Sequence, residues 1–397
     1  MRTRVESLPL PSADESAHAE RVANLLRRAI DKADGVLPFD RFMSLALYAP
    51  GLGYYSSGAH KFGAGGDFVT APELGSLFTR CLAGQCAEIL EHLGEACIVE
   101  FGAGSGALCV QLLESLDVMG RLPQRYLILE PSAELRARQM AAVGQLRDDL
   151  ASRVEWLGTL PDNPLIAVVI ANEVLDAMPV TRFRSNGVGG DVESLAVGHE
   201  DGKFIWRSVE PQRETKDLQA IVDRYELPKD YVSEYNGRAR AWVGQIGDWL
   251  ERGVALLIDY GYPQAEYYHA ERDTGTLKCF FHHHSHDDPL ILTGIQDITA
   301  HVDFSALATV AEASGLDVLG YTSQGSFLLG AGLMDVISSG ARGIAEELTL
   351  AAEVKRLTLP SEMGELFKVM ALGRDVSITP SAFKSTDRSG LLHRGVS

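Results

Sequence analysis

Two periodicities divide this chain. Residues 18–33 place Val22, Leu25, Leu26, Ala29 and Ile30 on one stripe at helical spacing. Pro38 opens a second predicted helix bearing Phe39, Phe42, Met43, Ala46 and Leu47. The Gly- and Tyr-rich loop from Tyr48 to Asp67 is too long and too aromatic for a plain linker, so other elements are expected to pack on it. From Ile98 onward, short apolar runs alternate with helical stretches. Residues 98–101, 126–129, 154–157, 165–171 and 254–259 are the predicted strands, and Leu108, Leu112 and Leu116 mark the first helix between them. Such alternation gives a parallel sheet with right-handed crossovers, a doubly wound α/β fold.

The alternation stops between Arg182 and Asp248. Residues 191–209 read as a hairpin turning at Asp201-Gly202, followed by two helical stretches. A polar, His-rich segment runs to Asp303. Residues 316–321 and 367–372 read as late strands, with helical material at 326–357 between them. The residues after Arg374 read as a loose tail. The expected division is an N-terminal helical and lid region (1–73), a first core half (74–181), an insertion (182–248), a second core half (249–375) and the tail (376–397).

Composition narrows the picture. The 397 residues are 46% hydrophobic and 23% charged, enough for a sizeable core. The net charge of -18 argues against a phosphate-backbone binder. None of Cys81, Cys86, Cys97, Cys109 and Cys279 forms a C-x-x-C pair, so reduced thiols are expected. The polar, acidic stretch from Met1 to Ala17 lacks a signal-peptide apolar region, which makes the cytoplasm the expected location. No apolar run reaches the roughly 18 residues of a membrane span.

The strongest chemical signal is Ile98-Val-Glu-Phe-Gly102-Ala-Gly104-Ser-Gly106-Ala107. A strand ends in a glycine turn and a helix starts at once, so the backbone can approach a ligand and offer helix N–H groups. Glu100 is placed to hold the ammonium of the methionine part of S-adenosylmethionine. Gly102, Gly104 and Ala107 also satisfy the dinucleotide fingerprint, and a tight turn without ligand has the same outline. Glu130, ending the next strand, suits a ribose under either nucleotide reading.

After the fourth strand, Asn172, Glu173 and Asp176 face the expected crevice. Glu173 and Asp176, three apart, would share one face of a helical first turn, where helix capping is the plain alternative. Thr70-Ala-Pro-Glu73 fits a capping box, and Gly63–Asp67 before it could serve as a flexible lid. His282, His283, His284 and His286 beside Asp287 and Asp288 match no metal-ligand spacing, so no metal is expected.

These blocks, with Met43-Ser-Leu-Ala-Leu-Tyr-Ala-Pro-Gly-Leu-Gly-Tyr-Tyr55 and Gly66-Asp-Phe-Val-Thr-Ala-Pro-Glu73, resemble the MidA-like methyltransferases. Ala171-Asn-Glu-Val-Leu-Asp-Ala-Met-Pro-Val180, Leu257-Ile-Asp-Tyr-Gly-Tyr262, Gln296-Asp-Ile-Thr-Ala-His-Val-Asp-Phe304 and Met363-Gly-Glu-Leu-Phe-Lys-Val-Met370 follow in the family's order. The resemblance runs from about Ala19 to Arg374. It implies a seven-stranded, mostly parallel class I methyltransferase sheet with N-terminal and internal insertions. It also implies S-adenosyl-L-methionine as cofactor and a protein arginine as acceptor. Val174-Leu175 and the triple His depart from the family pattern around the acceptor.

The expected cofactor contacts are Glu100, Gly102, Gly104, Gly106, Glu130, Asn172 and Thr70. The expected acceptor carboxylates are Glu173 and Asp176, with Glu73 third. The His segment is expected as a polar wall of the acceptor pocket or as a structural network. The partner is a protein acceptor, with no nucleic acid, no membrane span and room for a homodimer. An NAD-dependent oxidoreductase and a non-catalytic assembly chaperone are the rival readings.

Overall fold

The computed structural model describes residues 8–57, 71–161, 163–338 and 344–393. Its main sheet contains strands β1 (Cys97–Phe101), β2 (Tyr126–Leu129), β3 (Val154–Leu157), β4 (Leu165–Asn172), β5 (Leu250–Tyr262), β6 (Asp317–Ser323) and β7 (Phe367–Arg374). They lie in the order β6-β7-β5-β4-β1-β2-β3, and the short strand Val302–Asp303 pairs alongside β5 as an eighth. The inner pairs β5–β4, β4–β1, β1–β2 and β2–β3 are parallel. β7 runs antiparallel to β5 and β6.

The apolar runs form strands because both sheet faces are covered. Ile98, Val168, Ile170, Leu256 and Val369 pack with helices Leu77–Leu93 and Ala107–Val118 on one face. Val99, Val169, Ala255, Leu257 and Met370 pack with helices Gly237–Trp249 and Phe304–Ala313 on the other. Parallel strands buried on both faces read as continuous apolar runs. From β1 the chain winds outward through β2 and β3, then returns to β4 on β1's other side. The switch point therefore lies between β1 and β4, where such sheets open a crevice at the strands' carboxyl ends.

A second sheet combines Leu37–Pro38, Thr181–Asn186, Glu193–Glu200, Lys203–Val209 and Lys229–Tyr235. Helix Ala13–Lys32 is capped by Ser12 and Glu15 in a reciprocal box and buries Val22, Leu26 and Ile30. Helix Phe39–Tyr48 buries Phe39, Phe42, Met43, Ala46 and Leu47. The hairpin turns at Asp201 and Gly202, both with positive φ.

One expectation needs correction here. Residues 375–393 are not a loose tail: Ala382 and Phe383 are fully buried, and Asp387 accepts the Tyr321 N–H at 2.9 Å. The His-rich segment is a hairpin of Lys278–Phe281 and His284–His286, with His282 and His283 at the turn in positive φ.

Candidate functional site

β1 is buried throughout, and the chain must turn sharply at its end to start helix Ala107–Val118. Gly102, Gly104 and Gly106 do so with φ of 64°, 51° and 85°. A Cβ at Gly102 would sit 2.7 Å from Val174 Cγ2, so glycine lets this turn touch the turn that follows β4. The helix has no side-chain cap, which leaves its first N–H groups for another acceptor. Gly106 backs onto Gln139, whose Cα a Cβ would meet at 3.2 Å.

Glu100 is 2% exposed, and the Tyr126 hydroxyl donates to it at 2.8 Å. Burial pushes its carboxyl up to about 7, the Tyr126 bond opposing and Glu130 adding. Glu130, after β2, accepts from the Ser132 N–H at 2.9 Å and from Gln139 Nε2 at 3.0 Å. Burial raises it despite those bonds. Gln139 also donates to the Gly104 carbonyl at 3.2 Å and accepts from Trp156 Nε1 at 3.0 Å. It thus ties the glycine turn to Glu130. The sequence reading missed it, because an unremarkable helical glutamine carries no local signal.

The segment after β4 differs from the expectation. No helix starts there. Glu173 has φ 55°, and the backbone N–H groups of Val174, Leu175 and Asp176 all donate to Asp259 Oδ2, at 3.2, 2.9 and 3.3 Å. Asp259 is fully buried and takes the Tyr260 N–H on its other oxygen at 2.9 Å. One remote carboxylate gathers three N–H groups and holds a tight turn in place of a helix N-terminus.

Glu173 and Asp176 consequently do not share a helix face. Glu173 lines the cavity, whereas Asp176 is absent from its lining and receives the Tyr260 hydroxyl instead. Glu173 accepts from Asn172 Nδ2 at 3.2 Å and from the Ala71 N–H at 3.4 Å. Burial pushes Glu173 up to about 8, with Asp176 and Glu73 adding and the Ala71 and Asn172 bonds opposing.

Glu73 reaches across to the glycine turn: Ser105 Oγ donates to its Oε1 at 3.0 Å, and its buried Oε2 has no partner among the described residues. Thr70 and Gly63–Asp67 lie outside the described residues. Tyr48 and Tyr55 stack at 5.5 Å and form a further wall.

These parts enclose a cavity of about 890 Å³ at the switch point. Glu73, Glu100, Gly102, Gly104, Glu130, Asn172 and Glu173 all line it, and Gly106 and Asp176 do not. With Glu134 the lining holds five glutamates, and among the described residues no Lys, Arg or His lines it. Among the described residues the buried Asn172 Oδ1 has no partner. A buried acid with one neutral partner and an orphaned amide oxygen both require donors, which fits the ammonium of S-adenosylmethionine.

The His segment stands apart from this cavity, so of its two expected roles the acceptor wall is withdrawn. His282 meets Glu15 at 2.8 Å, and His284 bonds the His282 carbonyl at 2.8 Å. Among the described residues no group of three or more His, Cys, Asp or Glu could hold a metal ion. None of the described helices is long and apolar enough to cross a membrane.

The sheet order, the glycine turn at the switch point and the acid after the second strand define a mostly parallel α/β methyltransferase fold. The chain belongs to the S-adenosyl-L-methionine-dependent methyltransferase family whose profile matches residues 81–322, and S-adenosyl-L-methionine is its cofactor. A Burkholderia thailandensis protein solved bound to S-adenosyl-homocysteine is 43% identical. It superposes with a TM-score of 0.91, covering 97% of this chain and 100% of that one. The mitochondrial protein arginine methyltransferase NDUFAF7 of Danio rerio is 27% identical over 86% of this chain and 84% of its own. Its Drosophila melanogaster homologue is 26% identical over 91% of this chain and 86% of its own. Because these relatives are named as mitochondrial, the cytoplasmic location expected from the N-terminus is withdrawn.

Proposed function

We propose that this methyltransferase transfers its methyl group to an arginine side chain of a protein. The observation that carries this reading is the single-sign lining of the cavity: five glutamates and, among the described residues, no basic side chain. Such a pocket repels a pyrophosphate, which counts against the dinucleotide reading, and it attracts a sulfonium and a guanidinium together. The arginine methyltransferase names of the relatives agree with it.

In this reading Glu100 and Asn172 hold the cofactor's ammonium, Glu130 its ribose, and the backbone at Gly102 and Gly104 admits it closely. Bound S-adenosylmethionine supplies an activated methyl on a sulfonium. Glu173 and Glu73 bind and orient the guanidinium, and Glu173 takes up the proton that the methylated nitrogen gives up. Burial keeps that carboxylate basic, and like-charge repulsion from Asp176 behind it adds to the effect. Residues 8–57 supply the aromatic wall over the acceptor side, and the insertion at 182–248 supplies Trp242.

The test is Glu173→Gln. Affinity for S-adenosylhomocysteine stays within about threefold, while methyl transfer falls by about 10²-fold or more, as for loss of a positioned proton acceptor. Unimpaired transfer in this variant would remove Glu173 from the mechanism.

A further inference from the structure

Tyr48 and Tyr55 come from the Gly- and Tyr-rich loop whose role the sequence leaves open. Their rings stack at 5.5 Å with 20° between planes, and Tyr54 meets Tyr55 edge-on at 5.0 Å. Both hydroxyls are committed away from a ligand. Tyr48 donates to the Ala177 carbonyl at 2.9 Å, and Tyr55 donates to both oxygens of Asp297 at 2.9 and 3.0 Å. Asp297 is buried, so Tyr55 is anchored from below. Tyr48 nevertheless keeps 40% of its surface exposed, and both residues line the cavity that Glu73 and Glu173 line. With the hydroxyls tethered, what the pair offers the cavity is ring surface.

We infer that the Tyr48–Tyr55 pair is the flat wall of the acceptor slot and selects a guanidinium over an ammonium. This rests on the arginine reading above and adds the residues that set its specificity. A guanidinium is planar and weakly hydrated, so it can lie on a ring face while its edge meets carboxylates. A lysine ammonium is compact and strongly hydrated, and gains less from the same wall. Tyr48 bonds the Glu173–Ala177 turn directly, so wall and carboxylate share one frame.

The probes are N-acetyl-arginine amide and N-acetyl-lysine amide, titrated calorimetrically into the full chain saturated with S-adenosylhomocysteine. The wild type prefers the arginine amide. Tyr48→Leu weakens the arginine amide by about 3- to 30-fold, the range of a cation–π contact, and leaves lysine amide and S-adenosylhomocysteine affinities unchanged. Tyr55→Phe, which keeps the ring, loses less. In the wild type alone, ring-current shifts on the arginine δ-methylene protons report the stacking independently of any variant. Full arginine affinity in Tyr48→Leu, an equal loss of S-adenosylhomocysteine affinity, or absent ring-current shifts would overturn the inference. Failure of the wild type to bind the arginine amide at all would instead bring down the arginine reading beneath it.

Discussion

Arginine binding should be strongly pH-dependent, and the structure sets the size of the effect. Glu173 is buried beside Asp176 and Glu73, which pushes its carboxyl up to about 8. At pH 7 roughly nine in ten molecules then carry the proton, whereas the guanidinium, always charged, binds the ionised form. Removing that proton costs about 1.4 kcal/mol at pH 7 and almost nothing at pH 9. The arginine amide should therefore bind about tenfold more tightly at pH 9 than at pH 7, with close to one proton released per ligand at pH 7. The sign follows from a raised carboxylate that must ionise to meet a cation: affinity climbs with pH until about 8 and then levels. Calorimetry on the S-adenosylhomocysteine complex gives the dissociation constant from pH 6.5 to 9. Two buffers of different ionisation enthalpy count the proton. Glu173→Gln should bind more weakly and show no slope. A wild-type constant that stays flat across this range, or an identical slope in the Gln variant, would refute the reasoning.

Further outcomes follow from the same geometry. Gly102→Ala places a Cβ against Val174 at positive φ and should weaken S-adenosylhomocysteine binding by tenfold or more, read by calorimetry, since left-handed backbone alone costs about 1–2 kcal/mol. Glu130→Ala should weaken the same ligand through lost charge-assisted bonds of about 1.5–3 kcal/mol each, and a change below about threefold would exclude a ribose role. Asp259→Ala removes the acceptor of four N–H groups and should cost about 2–4 kcal/mol in chemical denaturation. Asp259→Asn, which keeps an acceptor oxygen, should cost less. Glu100 keeps its proton to about 7 when folded but ionises near its ordinary value when unfolded, so stability of the cofactor-free protein should fall as pH rises from 5 to 7. Glu100→Gln should flatten that decline in thermal melts at several pH values.

The core strands were legible because each is a short apolar run closed by a turn, and burial on both sheet faces demands such a run. The cofactor side was legible for the same reason: the glycines and Glu130 are local to strand ends. The acceptor side was not. The turn at Glu173–Asp176 looks like a helix start, and what forbids the helix is Asp259, whose carboxylate bonds N–H groups 83 to 85 positions away. Strand Lys229–Tyr235 escaped notice because two of its buried residues are polar, and Glu234 is satisfied by distant partners, the Thr276 N–H at 2.7 Å and the Arg182 guanidinium at 3.5 Å. The segment after Arg374 reads as a loose tail, yet Phe383 packs against Gly320, where a Cβ would come within 2.5 Å of its ring. In each case the partner lies far along the chain.

The proposed reaction is methyl transfer from S-adenosylmethionine to arginine at Glu173. The most direct measurement is incubation of the purified protein and labelled S-adenosylmethionine with the proteome of a strain lacking the protein, followed by mass spectrometry of the labelled peptides. Label is expected on arginine side chains, lost when Glu173→Gln protein replaces the wild type. Label on lysine, on a nucleotide or on a small molecule would contradict the acceptor assignment, and label on arginine that persists undiminished with Glu173→Gln would contradict the site.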